Sequence, residues 1–510
     1  MRRNRALLLN TLLLTATSLF MRAVGLAFQV YLSKTIGAVG IGLFTLVMSV
    51  NSFAATFAIS GIRFTSMRLT AEELGRNNSA GIRKTITCCV IYAVFFGTIA
   101  LLTLYNAAGF IGSRIIGDER TVLSLKLLSL SLPLVAVASV FSGYFTAVCR
   151  VAKTAAVQII EQLTRIAVIV VLLAVTGADN VELSCAVVVL GGVAGDMASF
   201  VLLFIIYKLD SRRYRGGKAV KTGSIPKRIV GIAMPLAVSA YARTALSTVQ
   251  NLLVPRGFRK SGASAEGALS AYGLIQGMVF PVITFPAAFF SSLSELLIPE
   301  VTQAQVTGDD EKIENLSSRI LKYCLIFSVG VMGMLVCFGE NISQVIYSNS
   351  EAGKYICILA ALMPIMYIDT VTDGILKGLG EQLYSMKINV LDSMISVAMV
   401  YLLLPKYAVN GYIFIMYFTE AFNLAMSAYR LSKKARITIR ITDCIKILAA
   451  AYGAGNISVC VMNVLGLLDR ATPFNIVTGA VVMAAAYYYM LVLFGCLSKS
   501  DKKWIKELIM

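Results

Sequence analysis

Four arginines interrupt segments of the sequence that are otherwise apolar. Arg22 and Arg243 lie deep within two such segments, Arg63 lies near the end of a third, and Arg165 lies in a fourth. An arginine at the centre of a membrane helix costs about 2.5–3.5 kcal/mol on insertion scales, so each position needs a compensating role. A guanidinium presents a planar fork that suits phosphate or carboxylate oxygens. Because no acidic residue precedes Glu72, we predict that Arg22, Arg63 and Arg243 bind an anionic substrate.

The same arginines also have structural explanations. Arg22 could extend to the headgroup region or bond to backbone carbonyls, and Arg63 could simply reach the inner headgroups. These alternatives require no substrate. They therefore stay open beside the anion-binding interpretation.

Acidic residues within the apolar segments are candidates for coupling transport to a cation. Glu161 precedes Arg165 by four residues, in the order that favours an ion pair within one helix. A structural role is sufficient to explain this pair, because mutual neutralisation lowers the free-energy cost of inserting the helix into the membrane. A role in gating or coupling is the alternative. The other candidates, none at a decisive spacing, are Asp196, Asp369, Asp373, Asp392 and Glu420. We predict a coupling or gating role for Glu161, Arg165, Asp196 and Asp373, with Na⁺ or H⁺ as the coupling ion.

Histidine and paired cysteines, which serve many catalytic and metal sites, do not support such chemistry in this chain. Histidine is absent, and the 10 cysteines include no Cys-x-x-Cys pair. The cysteines are best interpreted as small apolar packing residues. We therefore predict no cofactor, no metal site and no catalytic residue.

The segments that carry these residues are long enough to cross a membrane. The 510 residues are 57% hydrophobic and only 14% charged, which is outside the range of soluble proteins. A spanning helix needs about 20 apolar residues. On this criterion the sequence predicts an all-α integral membrane protein with about fourteen spans, at 6–32, 40–66, 83–107, 121–148, 155–175, 181–208, 228–254, 267–298, 316–338, 354–378, 385–405, 409–431, 443–468 and 472–498.

The net charge of +19 follows the predicted topology. Most Lys and Arg fall on the side that holds both termini, and the largest clusters are 208–228 and 430–446. The positive-inside rule places both termini and these loops on the cytoplasmic side of the cell membrane. Attraction to anionic lipid headgroups explains the charge without nucleic acid.

The sequence contains an internal repeat with a spacing of about 231 residues. Pro133 and Gly143 correspond to Pro364 and Gly374, and Glu161 corresponds to Asp392. A repeat of apolar bundles is typical of transporters, which bind cargo between the repeats and move the halves around it. We predict a six-helix lobe over 1–208, a basic linker over 209–227, a second six-helix lobe over 228–431, and two further helices with a basic tail over 432–510.

Two prolines lie five residues apart in the eighth predicted span. Pro281 and Pro286 each remove a backbone hydrogen bond, so we predict a kinked helix that could act as a hinge. A static kink that improves packing is the alternative.

Several spaced motifs resemble the stage V sporulation protein B-like flippases. These proteins belong to the multidrug/oligosaccharidyl-lipid/polysaccharide exporter superfamily, as do lipid II flippases. The resemblance extends over roughly residues 5–430, and the motifs are Gly37-Ala38-x-Gly40-Ile41-Gly42-Leu43, Ser60-Gly61-Ile62, Arg68-Leu69-x-Ala71-Glu72-Glu73, Gly143-Tyr144-Phe145, Gln158 with Glu161-Gln162 and Arg165, Leu253-Val254-Pro255-Arg256-Gly257, Ala271-Tyr272-Gly273, Gly277-Met278, Phe285-Pro286 and Ile298-Pro299-Glu300.

The resemblance implies two pseudo-symmetric six-helix lobes plus a final pair, working by alternating access. It also implies a lipid-linked saccharide or peptidoglycan precursor as cargo, with the pyrophosphate held by cavity arginines. Arg22 and Arg243 match basic positions of the family. Where relatives often have a second arginine in the first span, this chain has Phe28 and Gln29, and Gln29 offers a neutral hydrogen bond.

Two other functions compete with a flippase. A cation-coupled multidrug exporter of the same fold would need acidic cavity residues in the first bundle, and the first two spans have none. A polyprenyl-linked glycan-processing enzyme would need carboxylates on an outward loop, where Asp118-Glu119 is the only adjacent pair. We therefore expect a monomeric transporter, without enzymatic activity, whose partners are membrane lipids and a lipid-linked saccharide.

Overall fold

The regular structure throughout the described residues is helical. The computed structural model describes residues 2–76, 78–148, 150–176, 180–214, 224–435, 441–467 and 472–496. The α-helices are α1 (Arg2–Ile59), α2 (Ile62–Gly75), α3 (Ser79–Phe110), α4 (Thr121–Ala147), α5 (Val151–Thr176), α6 (Val181–Asp210), α7 (Ile225–Lys260), α8 (Ala265–Gly273), α9 (Phe280–Thr284), α10 (Ala287–Thr307), α11 (Asp310–Tyr347), α12 (Ser350–Ala360), α13 (Met363–Gly378), α14 (Gln382–Lys434), α15 (Ile441–Val464) and α16 (Pro473–Leu493). Single π-helical segments cover Ile111–Ile116 and Leu274–Val279.

Most of these helices have the length and composition of membrane spans. In the described part of the chain, 11 helices meet this criterion, or 12 if the bent pair α12 and α13 is one span. Two long helices contain a non-helical residue, Gly37 in α1 and Ala408 in α14. Gly37 lies between the predicted spans 6–32 and 40–66, and Ala408 lies between 385–405 and 409–431, so each long helix contains two predicted spans. The all-α membrane fold is therefore confirmed, while the number fourteen stays a prediction that depends on how broken helices are counted.

Polar residues define where several helices begin. Their side chains accept hydrogen bonds from backbone N–H groups of the first turn, which have no partner within the helix. Residues that cap in this way are Asn78, Asn180, Asp309, Asn349 and Thr472. The apolar runs set the length of each span, and these caps set its first turn.

The helices form two compact units. The first comprises Met1–Gly273 and Val400–Lys406, and the second comprises Leu274–Met399 and Tyr407–Met510. In the first unit α4 packs against α2, α3 and α6, and α1 packs against α4, α7 and α8. In the second, α11 packs against α12, α13 and α15, and α13 also packs against α10. The predicted lobe bounds rest on the sequence repeat and stay a prediction; 215–223 of the linker and 497–510 of the tail lie outside the described residues.

The sequence repeat corresponds to an equivalent close contact inside each unit. In the first, a Cβ on Gly143 of α4 would lie 2.3 Å from the carbonyl oxygen of Arg63 on α2. In the second, a Cβ on Gly374 of α13 would lie 1.8 Å from the hydroxyl of Ser294 on α10. Both partners are displaced by the repeat spacing of 231 residues. At Gly143 the close atom belongs to the backbone of the neighbouring helix, so a glycine is required there, whereas at Gly374 the Ser294 side chain would have to move to admit a Cβ.

One end of the first unit is closed by ion pairs around buried acids. Asp210 at the end of α6 is almost fully buried, accepts a hydrogen bond from Tyr144 at 2.8 Å, and pairs with Arg150 and with Lys153 at 3.4 Å. The neighbouring acid Glu73 on α2 accepts a hydrogen bond from Asn78 at 2.7 Å. These contacts fasten the ends of α4, α5 and α6, and of α2 and α3, at the end of the unit nearest the basic linker.

Candidate functional site

Arg22, Arg63 and Arg243 all lie in the first unit, on α1, α2 and α7, and all three side chains are exposed. Gln29 follows Arg22 by two helical turns, so the two side chains share one face of α1. Contacts with α1 fix the position of α7, and a close contact with α7 fixes the position of α2. The assignment of these four residues to a substrate site stays a prediction.

The position of α7 is fixed by polar contacts with the second part of α1. Tyr241 donates a hydrogen bond to the hydroxyl of Ser60 at 2.6 Å, and Thr248 donates to the carbonyl of Ser49 at 3.0 Å. Arg243 is two residues beyond Tyr241, which corresponds to a turn of about 200° around the helix. Arg243 therefore points away from the α1 contact and stays exposed on the opposite side of α7.

The break between α1 and α2 places Arg63. Ser60 and Gly61 both have positive φ values, 45° and 71°, and these two residues separate α1 from α2. A Cβ on Gly61 would lie 2.6 Å from the carbonyl oxygen of Ala233 on α7. Because glycine alone fits this close approach, α2 and α7 are held together at the level of Arg63.

The three arginines have no carboxylate partner among the described residues. The two acids in the middle of this unit's membrane-length helices, Glu161 and Asp196, are both bonded to Arg165, and Arg228 pairs with Glu72 and Glu73 at the helix ends. Among the described residues of the unit, Arg22, Arg63 and Arg243 therefore have no carboxylate within ion-pair distance. An apolar environment makes this costly unless an anion is bound.

Glu161, Arg165 and Asp196 form one polar cluster between α5 and α6. Arg165 lies 3.2 Å from a Glu161 oxygen and 3.5 Å from an Asp196 oxygen. Gly195 on α6 makes room for the arginine, because a Cβ there would lie 3.3 Å from the Cβ of Arg165. The predicted pair within α5 is therefore present, and the structure adds Asp196 to it. This arrangement has two acids for one base.

The second unit holds a second acidic cluster. Asp373 pairs with Lys377 on the same helix at 2.6 Å and accepts a hydrogen bond from Ser385. Asp369 on α13 lies within electrostatic range of Asp392 and Glu420 on α14. One oxygen each of Asp369 and Asp392 is buried without a hydrogen-bond partner.

The sequence interpretation missed one member of this cluster. Lys377 neutralises Asp373, and its spacing of four residues was the signal that could have revealed the pair. No group of three or more Asp, Glu or Cys side chains, within the ranges that the structure describes, is close enough to hold a metal ion.

Pro281 and Pro286 lie at the two ends of the short helix α9. Pro281 is at the start of α9, directly after a π-helical segment, and Pro286 is the residue before α10. Val279, Phe285 and Pro286 all have right-handed helical φ/ψ values, so the predicted kink stays a prediction. Their role as a hinge stays a prediction.

The apolar helices and the uncompensated arginines define a multi-pass membrane protein of the transporter type. The chain belongs to the polysaccharide biosynthesis protein family, whose model matches residues 7–291. It is 21% identical over 504 residues to stage V sporulation protein B of Bacillus subtilis (strain 168), covering 97% of this chain and 96% of that protein. The family resemblance predicted from the motifs is thus confirmed.

Two solved structures show the fold. The lipid II flippase MurJ in its inward closed conformation matches with a TM-score of 0.73 and 13% identity, covering 94% of this chain and 98% of that one. An inward-facing multidrug resistance MATE family transporter of the MOP superfamily matches with a TM-score of 0.60 and 14% identity, covering 81% and 95%. The fold of the superfamily named in the sequence analysis is therefore confirmed.

Proposed function

We propose that this protein is a flippase that moves a lipid-linked saccharide or peptidoglycan precursor from the inner to the outer leaflet of the cell membrane. The observation that carries the proposal is the set of three uncompensated arginines on α1, α2 and α7. A pyrophosphate headgroup supplies the anion that these side chains lack. The likeness to stage V sporulation protein B and to a lipid II flippase supports this class of cargo.

In this proposal the arginines bind the headgroup and the polyprenyl tail stays in lipid. Arg22 and Arg243 donate paired hydrogen bonds to phosphate oxygens, and Gln29 contributes a neutral hydrogen bond from the same face of α1 as Arg22. Arg63 adds charge from α2. The protein acts as a monomer with both termini in the cytoplasm, and it changes the position of its cargo without breaking a covalent bond.

We further propose that a cation drives transport through the acids of the second unit. Asp369, Asp392 and Glu420 lie near one another, and buried oxygens of the first two have no hydrogen-bond partner. Uptake of H⁺ by one of these carboxylates would relieve the repulsion among them. Asp392→Asn should therefore fold normally and lose transport that depends on an ion gradient; unchanged dependence on the gradient would remove this assignment.

The cargo site is tested by replacing the arginines one at a time. Arg22→Ala and Arg243→Ala should each lower transport by about 10-fold or more, since a hydrogen bond to a charged group contributes about 1.5–3 kcal/mol. The measurement is complementation of a strain that lacks this gene, with mass spectrometry of the lipid-linked precursors that accumulate. Arg212→Ala, an exposed arginine at the end of α6, is the matched control.

Normal membrane expression of each variant must be shown on the same samples. Full activity of both Arg22→Ala and Arg243→Ala would overturn the anion site. Accumulation of a precursor without a phosphate group would overturn the cargo class.

A further inference from the structure

A groove of about 410 Å³ lies at the C-terminal end of α7, within the first unit. Arg256, Arg259 and Lys260 form its basic side. Apolar residues of α7 and α14, including Leu253 and Tyr401, form the rest of the wall. The groove therefore combines three cationic groups with an apolar surface.

The arginines of the groove bond to neutral groups of the protein. Arg256 donates a hydrogen bond to the carbonyl of Arg114, and Arg259 donates to the carbonyls of Ile116 at 3.0 Å and Gly117 at 3.4 Å. Carbonyl groups are neutral, and no salt bridge between described residues involves these two arginines or Lys260. The three basic side chains therefore have no carboxylate within ion-pair distance among the described residues.

The basic side chains also retain capacity to donate hydrogen bonds. A guanidinium carries five N–H groups. The Nε atom of Arg259 is buried without a hydrogen-bond partner. The ammonium of Lys260 lies 5.2 Å from the centre of the Tyr401 ring, which orients it beside the groove.

The location of the groove makes this charge unusual. The start of α7 pairs through Arg228 with the acids at the end of α2, next to the basic linker, so the end of α7 lies at the opposite face of the unit. On the predicted topology this is the outer side, where the positive-inside rule disfavours Lys and Arg. Three basic residues within five positions there indicate a role beyond topology.

We propose that this groove binds the phosphate headgroup of an anionic phospholipid in the outer leaflet. The three cations match the negative charge, and the apolar wall suits the upper part of an acyl chain. Tyr401 and Leu402 beside it are 59% and 63% exposed, so a lipid has access from the membrane. A free phosphate ion would use the charge and leave the apolar wall without a partner. The site is separate from Arg22, Arg63 and Arg243, and it does not depend on the cargo.

The test is lipid retention by the purified full-length protein, measured by native mass spectrometry. Equal amounts of phosphatidylglycerol and phosphatidylcholine with identical acyl chains are offered. The wild type should retain phosphatidylglycerol about 150-fold over phosphatidylcholine, because an attraction of about 1 kcal/mol for each of the three basic residues sums to about 3 kcal/mol. The triple variant Arg256→Gln, Arg259→Gln, Lys260→Gln should lose this preference.

A matched triple variant controls for the loss of charge alone. Arg83→Gln, Lys84→Gln, Arg212→Gln removes the same residue types from exposed positions at the other end of the unit and should keep the preference. Equal retention of the two lipids by the wild type, or an unchanged preference in the groove variant, would overturn the proposal.

A crosslinking measurement covers the case in which the groove variant does not fold. A photoreactive phenylalanine analogue replaces Tyr401 in the otherwise wild-type chain, and crosslinks to phosphatidylglycerol should exceed those to phosphatidylcholine. Crosslinks to a lipid-linked pyrophosphate that excess phosphatidylglycerol does not reduce would show a cargo exit site and reject the phospholipid. Because neither readout measures transport, the result is independent of the proposed function.

Discussion

Arg165→Met should destabilise the protein because two acids in the first unit depend on one arginine. The guanidinium lies 3.2 Å from Glu161 and 3.5 Å from Asp196, so its removal leaves two carboxylates near each other between α5 and α6. Methionine fills a similar space without charge. The change therefore isolates the electrostatic contribution.

The size of the effect follows from the exposure of the cluster. The side chains of Arg165, Glu161 and Asp196 are 31%, 26% and 18% exposed, between a surface pair and a fully buried one. Exposed pairs contribute about 0–1 kcal/mol, and breaking a buried pair costs about 3–5 kcal/mol. We expect a loss of about 2 kcal/mol in the free energy of unfolding, or roughly a 30-fold change in the ratio of folded to unfolded protein. Unfolding in mixed detergent micelles with increasing dodecyl sulfate measures this directly.

A charge-free variant separates structure from coupling. Glu161→Gln, Arg165→Met, Asp196→Asn removes all three charges and should return the stability to within about 1 kcal/mol of the wild type. We expect it to transport normally, because both acids pair with Arg165 inside the first unit and the cluster then has a structural role. Wild-type stability of Arg165→Met would refute the electrostatic reasoning. A stable triple variant that does not transport would instead assign the cluster to gating or coupling.

Two further predictions concern helix contacts. Gly143→Ala should lower the free energy of unfolding by about 1–3 kcal/mol, because the added Cβ would lie 2.3 Å from the carbonyl oxygen of Arg63 and α2 would have to move. The same detergent titration measures this change, and unchanged stability would contradict the close contact. Hydrogen bonds from Lys434 and Arg430 hold the pKa of Glu381 below its ordinary value of 4.5. These bonds therefore stabilise the fold above pH 4.5, and the stabilisation is lost as the pH falls through the lowered pKa. Glu381→Gln should therefore lower the melting temperature at pH 7, and the difference from wild type should vanish in acid; a difference that persists below the lowered pKa would argue against this pairing.

In each unit an ion pair joins the ends of two helices, and the acid and the base have exchanged positions between the units. In the first, the base Arg150 follows α4 and pairs with the acid Asp210 at the end of α6. In the second, the acid Glu381 follows α13 and pairs at 2.8 Å with the base Arg430 near the end of α14. Arg150 and Glu381 are 231 residues apart, which is the repeat spacing. One partner of each ion pair therefore occupies an equivalent position in the two copies, with the opposite charge.

The sequence alone was sufficient to predict the apolar spans, the repeat and the pair Glu161–Arg165. These features depend on local quantities: the length of an apolar run, a fixed spacing, and the four-residue turn of a helix. The motifs also identified the family, because several short patterns at characteristic distances rarely occur together. Arg22 and Arg243 were identified as candidate site residues from the sequence, because placing an arginine within a membrane span has a high free-energy cost.

Only the tertiary structure showed which partners each charge has. Asp196 meets Arg165 from another helix, Arg228 meets the acids of α2 across about 155 residues of sequence, and Arg256 bonds to a distant π-helical segment. Such contacts depend on which helix faces pack together, and in an almost uniformly apolar chain the hydrophobic pattern does not specify those faces. The sequence therefore determined that the chain spans the membrane and where its charges lie, whereas packing decided which charges form ion pairs among the described residues and which do not.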